Sequence, residues 1–190
     1  ISFNGHRSGE EVPLGIDVAT RQFLRAHFRY AQQDKFYCVC PNETAAALYR
    51  DFGAEENITA ERCFSINQND ARALETSGCL VRYDPGIIKY AWARRYHGED
   101  RYSLCSIAHA CASESAMDIF GQYATAPLHP WDAVICPSQA IKGAITSILE
   151  GWEAYLDEKF GITPATPLDL PVIPLGVDTV AMVKRMSKDA

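Results

Sequence analysis

Short apolar runs of strand type alternate with segments of helical period along almost the whole chain, and few folds accept that pattern. The runs are KFYCVC (Lys35–Cys40), CFSIN (Cys63–Asn67), CLVRYD (Cys79–Asp84), SLCSIAHA (Ser103–Ala110), AVICPS (Ala133–Ser138) and LPVIP (Leu170–Pro174), with Ile1–Asn4 as a further short strand at the start. Between them lie the helical stretches Ile16–Gln32, Pro41–Gly53, Asn69–Thr76, Gly86–Tyr96, Ser113–Tyr123 and Ser138–Phe160. Such alternation specifies an α/β fold: a Rossmann-like, open, mostly parallel sheet with right-handed crossovers and helices on both faces. LPVIP, bounded by Pro174 and Gly176, reads as a fully buried parallel strand.

At 190 residues and 47% apolar, the chain is long enough to bury one full-sized core. No run reaches the roughly 18 apolar residues of a membrane span, and the start lacks the pattern of a signal peptide. A net charge of −6 argues against an extended nucleic-acid surface. Of the seven cysteines, Cys38, Cys40, Cys63, Cys79, Cys105 and Cys136 fall inside apolar runs and read as reduced core residues, which suits the cytoplasm. Cys38 and Cys40 lie two apart, without a second Cys/His pair to complete a zinc site. Arg21, Arg25 and Arg29 line one side of the first helix. They suit either a solvated face or peripheral contact with anionic lipid.

In open α/β sheets, ligands bind beyond the carboxyl ends of the strands. That rule selects the Gly5–Gly15 loop, Asn67, Tyr83–Asp84, His109 with Ser113 and Glu114, and Ser138 with Gln139. The first loop contains neither GxGxxG nor GxxxxGK[ST], which removes the dinucleotide fingerprint and the P-loop. Gly15 could let backbone N–H groups approach an anion, or could be a plain turn glycine. His109 could bond a phosphate or sugar oxygen, or could rest against a nearby carbonyl as an ordinary strand-end histidine. Asp84 sits in Asp-Pro-Gly, which is also turn chemistry, and Ser138 suits a helix cap. No GxSxG is present, so a serine hydrolase is set aside.

SIAHACASESAMDIFGQY, WDAVICPSQAIKGAI and LPVIPLGVD together resemble the N-terminal domain of retaining GT-B glycosyltransferases of the family-4-like group. The matching elements are a strand ending in His109, the Trp131–Ser138 strand-to-helix junction, and Val172–Asp178, where Leu175 stands in place of the usual Asn. The resemblance implies an acceptor-side domain over residues 1–178 and a linker or tail over 179–190. It also implies an absent C-terminal domain that binds most of the donor. The implied reaction is transfer of a sugar from a nucleoside diphosphate sugar to an acceptor hydroxyl with retention, needing neither a metal nor another cofactor. His109 would hydrogen-bond near the transferred sugar and stabilise charge as the diphosphate departs, and Gly5 and Gly15 would line the same cleft. Asp84, Ser113 and Glu114 are acceptor-side candidates by the strand-end rule. A GT-B-like sugar-nucleotide epimerase and a non-catalytic α/β binding module remain the alternatives.

Overall fold

The computed structural model describes residues 15–67, 70–109, 111 and 113–176; Ile1–Asn4, Gly5 and Val177–Asp178 lie outside the described residues. The chain is α/β. Its elements are α1 (Gly15–Tyr30), β1 (Phe36–Val39), α2 (Glu43–Glu55), β2 (Cys63–Ile66), α3 (Ala71–Ser77), β3 (Cys79–Arg82), α4 (Ile88–His97), β4 (Ser103–Ile107), α5 (Glu114–Gln122), β5 (Ala133–Ile135) and α6 (Gln139–Phe160). Every strand pairing among the described residues is parallel. The described strands form two sheets, β1–β2 and β3–β4–β5, where the sequence suggested one.

The helices start where short polar side chains satisfy free N–H groups. Asn42, Asp70, Ser113 and Ser138 accept from the amides of Ala45, Ala73, Ala116 and Ile141; each such cap stabilises its helix by about 1 kcal/mol. Pro41 thus precedes the cap of α2 rather than occupying its first turn. Gly53 does not end α2 but lies buried within it, where an added Cβ would come within 2.7 Å of the Cys63 sulfur. Glycine here lets α2 settle against the start of β2.

Two apolar clusters hold these layers. Leu24, Phe28, Phe36, Tyr49 and Phe52 join α1, β1 and α2. Leu80, Ile87, Leu104, Phe120, Val134 and Ile145 join β3 to β5 with α4 to α6. Burial of each such side chain contributes about 1.5–3 kcal/mol. At the contact between α5 and α6, Gly121 faces the Trp152 indole so closely that a Cβ would fall 2.0 Å from its Nε1.

The arginine side of α1 is half-buried to exposed, and its side chains are engaged by the rest of the chain. Arg25 and Arg29 both bond Glu56, and Arg21 and Arg25 lie over the Phe52 ring. These contacts engage the side chains that sequence alone left open to lipid.

The segment Leu170–Pro174 is less buried than its sequence suggests. It runs parallel to β5, bridged at Asp169 to Ala133 and at Val172 to Cys136, but Ile173 is 52% exposed. Asp169 and Ile173 donate to the Asp132 and Cys136 carbonyls, and Val134 and Cys136 donate to the Asp169 and Pro171 carbonyls. Pro171 has no N–H to give, so one rung of the ladder is missing. The Val134 carbonyl on that rung receives the Cys136 thiol instead, at 3.5 Å.

Candidate functional site

The carboxyl ends of β3, β4 and β5 lie side by side, because the three strands pair in parallel in chain order. His109 follows β4 by two residues, and Asp84 follows β3 by two. The structure brings them together: Asp84 is one of the groups whose charge acts on the His109 ring. On the other side, Cys111 lies near Cys136 after β5, and burial together with that proximity pushes the Cys136 thiol up. The loop after β4 is therefore bracketed by the ends of both neighbouring strands.

His109 takes the strand-end role, its ring against the Tyr83 backbone carbonyl, and keeps a buried Nε2 with no hydrogen-bond partner among the described residues. Partial burial lowers the imidazole pKa below its usual value, outweighing the Tyr83 carbonyl and the Asp84 charge, which both favour the cation. The ring is consequently neutral at neutral pH.

Asp84 is a turn residue with further partners. One carboxylate oxygen accepts from the Gly86 amide at 2.8 Å, and the other pairs with Arg82. Arg82 also donates to the Tyr90 hydroxyl at 3.1 Å and lies over the Tyr90 ring, with Lys89 over the same ring. Beneath them, Tyr123 donates to the Pro85 carbonyl. Burial pushes the Tyr123 phenol well up, the adjacent Ser106 hydroxyl opposes this, and the Asp84 charge adds to it. Ser106 is fully buried, and its hydroxyl makes no aligned hydrogen bond among the described residues. The Tyr83 hydroxyl is likewise buried without a partner there.

Asn67 directly follows β2, and the remaining candidates among the described residues stand at helix starts. Ser113 caps α5, its hydroxyl 3.4 Å from that of Ser115, and Glu114 is exposed in the first turn. Ser138 caps α6, and Gly15 begins α1. Arg82, Tyr90, Ser106 and Tyr123 were not singled out in the sequence. Arg82 alone carries a signal, as a charge inside an apolar strand, CLVR.

Among the described residues, no three His, Cys, Asp or Glu side chains gather as a metal site, and no helix is long and apolar enough to cross a membrane. No protein-family profile, curated protein or solved structure matches the chain.

Proposed function

We propose that the chain is the acceptor-side domain of a retaining GT-B glycosyltransferase, a Rossmann-like half-enzyme that works against a second, donor-binding domain. The single observation carrying this reading is His109: it lies two residues beyond the central parallel strand, between the ends of two neighbours, with Nε2 unpartnered among the described residues. The resemblance over SIAH, WDAVICPS and LPVIPLGVD assigns the transferred sugar to the vicinity of that same histidine.

In the proposed reaction, the bond between the anomeric carbon and the diphosphate oxygen breaks. A bond from that carbon to the acceptor oxygen forms on the same face, and the acceptor proton passes to the departing diphosphate. A neutral His109, with Nδ1–H toward the Tyr83 carbonyl, offers Nε2 as an acceptor for a sugar hydroxyl. It thereby orients the sugar, while stabilisation of the diphosphate charge falls to other groups. Lys89, in the first turn of α4, is a cation of this chain near that rim.

The test is His109→Ala in the intact natural protein, assayed for sugar transfer at saturating donor. A fall of about tenfold or more with unchanged folding is expected, and no turnover is expected from the 190-residue chain alone. An unchanged rate removes His109 from the mechanism. Failure of the intact protein to transfer sugar from any nucleoside diphosphate sugar favours the non-catalytic binding module.

A further inference from the structure

At the opposite ends of the strands, a second set of side chains forms a rigid surface. Trp131, just before β5, is 49% exposed, and His129 stacks on its ring at 4.5 Å and 11°. Trp92 on α4 is 44% exposed, with the Arg95 guanidinium over its ring. Glu99 connects the two halves, 3.7 Å from Arg95 and 3.6 Å from His129 Nε2. The platform stands on a buried support: the His129 amide donates to Asp132, whose carboxylate is held by the fully buried Arg94.

We propose that this surface binds a neutral carbohydrate chain, independently of the reaction at the other rim. Each indole is covered on one side by a polar group, His129 or Arg95, and the rest of its π surface is open to a ligand. Sugar rings present C–H faces that pack on such a surface, and their hydroxyls match the Arg95 and Glu99 side chains between the indoles. Because the support is ordered in advance, little conformational entropy is lost on binding.

The composition disfavours the other large partners. Arg95 and Glu99 balance in charge, whereas nucleic acid needs clustered cations. A bilayer would call for aliphatic side chains beside the indoles, but the exposed Val18, Ile162, Ile173 and Leu175 belong to other elements.

The experiment is native electrophoresis of the intact chain through gels containing glycogen, dextran or mannan, with flotation on phosphatidylglycerol–phosphatidylcholine vesicles alongside. Retardation by at least one polysaccharide is expected. It should weaken about tenfold in Trp92→Ala and in Trp131→Ala, as for loss of an anchoring aromatic. Trp131→Phe, which keeps a ring over His129, should retain most of it. Absence of retardation in all three gels, retardation indifferent to both tryptophans, or tryptophan-dependent flotation in its place would overturn the proposal.

Discussion

Arg94 and Asp132 form a bidentate ion pair with both N–O distances at 2.7 Å and both side chains fully buried, tying the end of α4 to the entrance of β5. Most of the remaining valences are used as well, the buried Arg94 Nε being without a partner among the described residues. Arg94 also donates to the Tyr102 and Pro127 carbonyls, and Asp132 also accepts from the Leu104 and His129 amides. A buried charge persists only when most of its donors and acceptors are paired in this way.

Asp132→Asn should therefore destabilise the chain by about 3–5 kcal/mol, because it strands a buried guanidinium. Urea unfolding at neutral pH measures the loss. The apolar pair Arg94→Met with Asp132→Leu should recover part of it, since the stranded charge is then gone. A single variant as stable as the parent would show that the pair is not a support.

His109 should titrate below the ordinary histidine value of about 6.5, because burial opposes its charging. Nuclear magnetic resonance of its ring across pH 4–8 (about the window of interest) reads this directly. Asp84 favours the cation, so Asp84→Asn should lower the pKa further. Since the folded value is depressed, the unfolded chain binds more protons between the two pKa values. The contribution to stability is therefore full above about 6.5 and declines as pH falls from there toward the folded value. A titration at or above the ordinary value would contradict the burial of the ring.

Gly121→Ala should destabilise the chain by about 1–3 kcal/mol, the usual cost of overpacking, because the new methyl meets the Trp152 indole. The loss should shrink when Trp152→Leu is added, and the coupling in a double-mutant cycle of urea midpoints gives its size. Additive effects would mean that the indole moves aside freely.

The alternation of apolar runs and helical periods was legible at the level of elements: each described strand and helix lies within a few residues of its sequence segment. Long-range partnership was not. CLVRYD announces a strand, but nothing local says that Arg82 will bridge Asp84 and Tyr90. Arg94 sits in the run ARRY beside Arg95, and only the third dimension makes one fully buried and the other exposed. Short-range chemistry read more faithfully: Ser138 caps its helix, and Asp84 closes its turn. The apolar composition of LPVIP suggested burial on both sides. Burial depends on what covers a segment, however, and that information is not contained in five residues.

The rung lost at Pro171 divides the outermost ladder into two unequal grips. A load applied to the chain at Gly176 first meets the bonds joining Ile173 and Pro171 to Cys136. Once they part, no bond resists at the proline, and the next hold is at Asp169, beside Val134 and Asp132. The segment's hold on β5 is thus divided into two steps, neither of which involves the bonds that join β3, β4 and β5.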